Sequence, residues 1–421
     1  MIETYWPDAA TQAEFARRAE EAGRSNPAFW KGLPTLPTRP TDGHKGTFGT
    51  ALAVGGSRGM SGAISLTGSA ALVAGAGLTR LFVPEPILET VAGFAREYTT
   101  IPGACDASGR LTSAAFDAIL AEAANATALA VGPGFGRSAE ATRLVVELFF
   151  ELERPAVFDA DALNALAEAG VFDETATEAE SQTSKARELA RESAISERGG
   201  ESVAEEKRDG REKAKPGNDG TSRRFAGRKP RGARVLTPHP GEFARLTGAK
   251  PSSDRAARID AATAFAKRLE RLFGDDSERW NEQCAATQPA QPKGLGERST
   301  VRREGGDDGG SDAASQFVVV LKGAGTVVAD GSGAVCVNET GNPNLATGGS
   351  GDVLTGVVVG LLAQKTTPFD AARSAVALHG LAADLRATRC SRGAVASDVV
   401  RFLPLAFDFY EAAQASGRRG V

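Results

Sequence analysis

Histidine and cysteine are scarce in this chain, with three of the first and four of the second among 421 residues. Cys105, Cys284, Cys336 and Cys390 lie far apart and form no Cys-x-x-Cys pair. That spacing indicates neither a thiolate zinc site nor a disulfide framework, and it suits a reducing compartment. His44, His239 and His379 are isolated from one another, which argues against a His-rich metal centre. Long apolar runs are missing too: none approaches the ~20 residues that span a bilayer. Near the N-terminus stand Glu3 and Asp8 with no apolar stretch behind them, so no secretory leader is expected and the chain is assigned to the cytoplasm. A formal charge of −4 gives no electrostatic case for binding nucleic acid.

Two stretches lack the side chains of a core. Residues at about 174–230 mix both charge signs, as in Glu205-Glu206-Lys207-Arg208-Asp209, and residues at about 275–315 are rich in Gln, Pro, Gly and Asp. Neither can bury enough apolar surface to offset the entropy of ordering, so both are expected to be disordered insertions in surface loops. Without them roughly 320 residues remain, the size of one large domain over 41–421 preceded by an extension over 1–40. That remainder alternates short β-branched strands (Ala51–Val54, Thr79–Val83, Ala128–Val131, Ala156–Phe158, Arg234–Leu236, Phe317–Leu321, Thr326–Ala329, Val335–Val337) with helical stretches, the last of them Val353–Gln364, Pro368–Ala387 and Ser397–Ala413. The pattern predicts an α/β fold, a mostly parallel central sheet with helices on both faces. Ligands bind such sheets at the carboxyl ends of the strands.

The loops at those ends carry the chemistry. Gly348-Gly349-Ser350-Gly351-Asp352 leads straight into an apolar helix. Its backbone N–H groups are free to converge on an anion, and the helix adds its positive end. Asp352 would crowd a bound phosphate unless it takes a proton from a hydroxyl that is being phosphorylated. Lys322-Gly323-Ala324-Gly325-Thr326 joins a point charge to accessible amides and suits a phosphate, and it also reads as the turn of a β-hairpin. Thr237-Pro238-His239-Pro240-Gly241-Glu242 displays a histidine between two prolines, for a ligand or as a capping box closed by Glu242. Asp159-Ala160-Asp161-Ala162-Leu163-Asn164 gathers two carboxylates and an amide at a strand end, more than helix capping explains, and suits a polar ligand or Mg²⁺. Gly55 through Ala63 and Gly132 through Gly136 are glycine-rich turns that allow a ligand close to the backbone.

Taken in order, these runs resemble the ADP-dependent NAD(P)H-hydrate dehydratases, enzymes of nicotinamide-cofactor repair in the ribokinase-like superfamily. His44-Lys45-Gly46 and Thr237-Pro238-His239-Pro240-Gly241-Glu242 are the specific parts of the match. The resemblance implies that Ala63, Gly134, Gly136, Asp161, His239 and Asp352 contact the hydrated cofactor. It implies that Lys322, Gly323, Ala324, Gly325 and Thr326, with Gly348, Gly349, Ser350 and Gly351, bind the nucleotide. It further implies ADP or ATP as phosphoryl donor with Mg²⁺, no protein metal site, the substrates NADHX and NADPHX, and a homo-oligomer such as a tetramer. Many relatives carry an epimerase domain ahead of the first motif. Only about 40 residues precede it here, so a separate NAD(P)HX epimerase is expected.

Asp352 is then the catalytic base. A helix N-terminus favours its ionised form, so it is expected to be weak at rest, with proton transfer accompanying phosphoryl transfer. Two other readings share these motifs: a ribokinase-like kinase of a small alcohol or vitamin precursor, and a non-catalytic nucleotide-binding regulator.

Overall fold

The computed structural model describes residues 9–173, 225, 227–274, 315–389 and 392–419. The two segments expected to be disordered fall almost wholly outside the described residues. Their edges do not. Phe225 is buried and stacks on Phe150, and Arg228 pairs with Glu147 and Glu151 (2.8 and 3.0 Å).

Nine strands form one sheet: β1 Thr50–Val54, β2 Leu78–Pro84, β3 Thr99–Gly103, β4 Ala128–Val131, β5 Ala156–Phe158, β6 Arg234–Leu236, β7 Phe317–Leu321, β8 Val327–Asp330 and β9 Val335–Val337. Their order is β3-β2-β1-β4-β5-β6-β7-β8-β9. The pairings from β3 through β7 are parallel, and β8 and β9 turn back antiparallel. β3 has no counterpart among the strands expected from sequence. It is a half-exposed edge containing Pro102, which leaves little apolar signal.

Among the described residues the α-helices are α1 Ala9–Ser25, α2 Pro27–Gly32, α3 Ser61–Val73, α4 Leu88–Ala92, α5 Phe116–Ala124, α6 Ala139–Glu151, α7 Asp161–Glu168, α8 Pro240–Thr247, α9 Arg255–Phe273, α10 Ser350–Ala363, α11 Pro368–Ala387 and α12 Ala396–Arg419. Among the described residues none is long and apolar enough to cross a membrane. α1 and α2, in the extension, pack on α12, where Trp30 meets Phe409 and Tyr410.

Strand side chains alternate between two cores, one on each face of the sheet. Ala51 and Ala53, Val318 and Val320 face one; Leu52 and Val54, Phe317 and Val319 face the other. The second core is aromatic, built on Phe149, Phe158, Phe172 and Phe273. The first is built from small residues, and this positions the site. A Cβ on Gly356 would stand 2.3 Å from the Thr67 carbonyl, and one on Gly360 would stand 2.6 Å from that of Ala71. α10 therefore lies almost backbone to backbone on α3, which aims its first turn at the strand carboxyl ends.

Candidate active site

α10 begins at Ser350, three residues earlier than its apolar pattern suggests, with Gly349 as N-cap in the left-handed region. Asp352 is thus in the first helical turn rather than in the preceding loop. Its carboxyl group is pushed up to about 7, first by burial, then by the nearby charge of Asp159, with Asp161 adding and Lys322 opposing. The expectation of a resting, fully ionised weak base is corrected here: desolvation and neighbouring anions outweigh the helix end, and the group is matched to neutral pH.

Lys322 directly follows β7, and Gly323 through Thr326 form the β7–β8 turn, as the hairpin reading expected. Its Nζ donates to Asp159 Oδ1 at 2.6 Å and lies 3.9 Å from Glu242 Oε2. Burial alone would lower the Lys322 pKa, but Asp159, Glu242 and Asp352 outweigh it and hold the ammonium above its usual value. Thr355 Oγ1, one turn beyond the start of α10, donates to Asp159 Oδ2 at 2.8 Å. Arg258 from α9 supports the turn from beneath, donating to the carbonyls of Leu321 and Lys322 (3.1 and 3.2 Å). Neither Thr355 nor Arg258 stands out in the sequence, because each sits in an ordinary helical pattern.

The three polar residues after β5 separate. Asp159, 1% exposed, takes Lys322 and Thr355. Asp161 Oδ2 accepts the amide of Gly136 at 2.9 Å, and Asn164 Oδ1 accepts from Arg245 at 2.8 Å, which ties α7 to α8. None of the three caps α7. Its N-cap is Ala160, at φ 51°, a conformation that costs a non-glycine residue about 1–3 kcal/mol and marks functional turns.

His239 is both cap and wall. Its Nδ1 accepts the amides of Gly241 and Glu242 (2.9 and 3.3 Å), and Glu242 Oε2 accepts the His239 amide at 2.8 Å. A doubly accepting Nδ1 puts the neutral ring's proton on Nε2, which lies 3.3 Å from Glu242 Oε1. Burial, then Lys322 and Arg245, lower the His239 pKa, so the ring stays neutral. Burial raises that of Glu242.

A cavity of about 1190 Å³ opens over these groups. It is lined by Asp159, His239, Lys322 through Thr326, and Gly349 through Asp352. A side chain on Gly351 would come within 3.3 Å of Lys322 Nζ, so its absence keeps the first turn of α10 open beside the ammonium. That cradle of amides and one lysine fits a nucleotide's phosphates. Among the described residues no three His, Cys, Asp or Glu side chains are arranged to hold a metal ion. His379, buried in α11, approaches Ser350 Oγ at 3.3 Å in the cavity wall. Glu339 lines the rim, 3.7 Å from Arg255, and is hydrogen-bonded by Asn26 from the extension.

Ala63, Gly134, Gly136, Asp161 and Gly348 are not among the lining residues. A Cβ on Gly134 would stand 3.0 Å from that of Ala63. Ala63 in turn connects to Asp352 through Thr67, whose Oγ1 donates to the carbonyls of Ala63 and Asp352 (3.2 and 3.1 Å). His44-Lys45-Gly46 lies elsewhere: the Lys45 carbonyl stands beside Gly77, just before β2, away from the strand carboxyl ends.

A family model described as NAD(P)H-hydrate dehydratase matches residues 51–183 and 311–405. An ADP-dependent (S)-NAD(P)H-hydrate dehydratase from Neisseria meningitidis serogroup B is 32% identical over 356 residues, 82% of this chain and 80% of that one. The chain belongs to the NAD(P)H-hydrate dehydratase family. A bifunctional NAD(P)H-hydrate repair enzyme from Moorella thermoacetica is 34% identical over 370 residues, 88% of this chain and 51% of the relative, so the chain spans about half the length of such relatives. Among solved structures, an ADP/ATP-dependent NAD(P)H-hydrate dehydratase from Bacillus subtilis, co-crystallised with ATP and Mg²⁺, superposes with TM-score 0.55 at 25% identity over 93% of this chain and 97% of that one. A ribokinase-like superfamily protein from Enterococcus faecalis V583, 18% identical with TM-score 0.56, shares the fold.

Proposed function

We propose that this dehydratase-family chain converts the S-epimer of hydrated NADH or NADPH to the reduced dinucleotide, consuming ADP and releasing AMP and phosphate. The observation that carries the reading is Asp352, a proton acceptor near neutrality in the same helical turn that presents open amides beside Lys322. Asp352 takes the proton of the C6 hydroxyl. That oxygen bonds to the terminal phosphorus of ADP, the bond to the bridging oxygen breaks, and AMP departs with its electrons. Lys322 and the amides of Gly349 and Gly351 carry the charge that develops on the transferring group. The phosphate then leaves C6 with the C–O electron pair, driven by the ring nitrogen's lone pair, and loss of a ring proton restores the dihydronicotinamide. A neutral His239, fixed by its own capping bonds, offers Nε2–H to the substrate.

The names of the Neisseria and Bacillus proteins support this choice of substrate and nucleotide. ADP is taken as donor, with ATP as its competitor. Mg²⁺ accompanying the nucleotide would supply charge neutralisation and would need few protein ligands, because it sheds its water reluctantly. Cytoplasmic residence, a homo-oligomeric assembly and supply of the S-epimer by an epimerase activity complete the reading; the bifunctional relatives' name supports the last.

Incubation with hydrated NADH and ADP tests the reading. NADH absorbance should appear together with equal amounts of AMP and free phosphate. Nucleotide consumption with a stable phosphorylated alcohol would support a kinase instead, and no turnover with any nucleotide would support a binding protein.

A further inference from the structure

We propose that His379 is a positioning residue for phosphoryl transfer: it holds the Ser350 hydroxyl so that this hydroxyl, in place of the Ser350 amide, donates to the phosphate at the first turn of α10. The inference rests on the nucleotide reading above and adds to it a pair of side chains.

The Ser350 amide is already engaged, donating to the Thr347 carbonyl at 3.3 Å. What Ser350 has left for a ligand is its hydroxyl. The residue is 7% exposed, yet it lines the cavity. Among the described residues its one hydrogen-bonding side chain is His379, with Nε2 at 3.3 Å from Oγ.

His379 reaches it from α11. Val376, His379 and Gly380 lie at helical spacing and all line the cavity, so the histidine stands on the face of α11 that looks into the site. That face is fixed to the loop forming the rest of the wall. Thr340 Oγ1 donates to the Ala377 carbonyl at 2.9 Å, and Asp384 accepts the Gly341 amide and Asn342 Nδ2 (2.7 and 2.8 Å). Burial pushes the His379 pKa down to about 4, with the Ser350 backbone opposing and Lys322 adding to the shift. The ring is therefore neutral near pH 7 and carries one proton, on one nitrogen or the other.

The ligand selects which. An ionised phosphate only accepts hydrogen bonds, so Ser350 must donate to it. A hydroxyl has a single proton. Once that proton points at the phosphate, the oxygen can only accept from His379. The chain then runs from His379 Nε2–H to Ser350 Oγ, and from Ser350 O–H to a phosphate oxygen. Each bond polarises the next, and the last one acts where charge develops on the transferring group.

Steady-state kinetics on hydrated NADH and ADP test the pair through Ser350→Ala, His379→Leu, His379→Gln and the double variant Ser350→Ala/His379→Leu. Removing the Ser350 donor should lower kcat about 10²-fold. His379→Leu should lower it about tenfold, the loss of one supporting bond, with KM for the hydrate unchanged. His379→Gln keeps an N–H near the Nε2 position and should recover most of the loss. The double variant should be no slower than Ser350→Ala, because His379 acts only through that hydroxyl. Losses that multiply in the double variant, or a Gln variant as slow as the Leu variant, would overturn the proposal and leave His379 a packing residue. Imidazole ¹⁵N NMR on the parent chain needs neither variant nor turnover, and the chain has only three histidines to assign. With ADP bound, the neutral His379 ring should carry its proton on Nε2; a proton on Nδ1 overturns the proposal even where His379→Leu fails to fold. If the parent turns over neither hydrate, the substrate reading fails, and the pair stands only if ADP fixes the Nε2–H form and binds less tightly to Ser350→Ala. A parent that binds no ADP sinks both.

Discussion

Lys322 Nζ and Asp159 Oδ1 stand 2.6 Å apart, and the other oxygen of that carboxylate receives Thr355 Oγ1 at 2.8 Å. Strand β5, strand β7 and helix α10 are thereby joined at one carboxylate under the cavity floor. Removing it leaves a buried ammonium without its closest counter-charge. Asp159→Ala is expected to destabilise the fold by about 3 kcal/mol, the lower end for breaking a buried pair because Lys322 keeps some solvent. Thr355→Val should cost about 1 kcal/mol, one neutral-to-charged bond. Denaturant midpoints measure both; an unchanged midpoint for Asp159→Ala would show that the pair does not hold these elements together.

Lys322→Ala should raise KM for the nucleotide far more than KM for the hydrate, since its ammonium is the charge proposed to meet phosphate. It also removes the cation that opposes protonation of Asp352, so the ascending limb of the pH profile should move to higher pH. The reverse pattern, lost hydrate affinity with nucleotide affinity intact, would mean that the two ligands occupy each other's proposed places.

In the parent chain, kcat/KM should rise with pH and level off above about 7, where the Asp352 carboxyl ionises. Burial sets that limb first and Asp159 second. A limb near the ordinary carboxylate range would show that the base is solvated in the free enzyme.

Asp352→Asn should lower turnover by at least about 10²-fold with nucleotide binding retained. The same variant has a stability signature. Because the folded-state pKa is raised, the native chain holds more protons than the unfolded chain between the ordinary aspartate value and about 7, and stability contributed by this group falls as pH rises through that window. Asn carries no charge to desolvate. Its melting temperature should therefore exceed the parent's at pH 8, and the gap should narrow toward pH 4. A gap independent of pH would remove burial of the charge as its cause.

Arg234 is fully buried and has no carboxylate partner among the described residues. Its guanidinium donates to the carbonyls of Phe149, Leu152, Ala233 and Arg154 (2.7, 2.7, 3.0 and 3.3 Å), closing the end of α6. Burial pushes its pKa down to about 9, which still leaves it charged at neutral pH. Arg234→Met fills similar volume but strands those carbonyls, so a loss of about 3 kcal/mol or more is expected by equilibrium unfolding. A neutral effect would mean that water reaches the end of α6.

The sheet was legible because its strands are buried on both faces: short apolar runs such as Ala128–Val131 and Phe317–Leu321 have the same limits in the sequence and in the structure. β3 was not, since an edge strand with Pro102 needs no such run. Glycine spacing and single polar residues at strand ends marked Asp352, Lys322, His239 and Asp159 as belonging to one place. Their relations were decided only by tertiary structure. No local pattern says that Asp159 faces Lys322 while Asp161 faces the Gly136 amide, because the left-handed turn at Ala160 redirects the chain between them. Nor does a local pattern reveal that the Asp352 carboxyl is pushed up to about 7. By itself, the start of a helix predicts an ionised carboxylate. Desolvation beneath the cavity and the approach of Asp159, which is 193 positions earlier in the chain, reverse that, and both exist only once β5, β7 and α10 have come together.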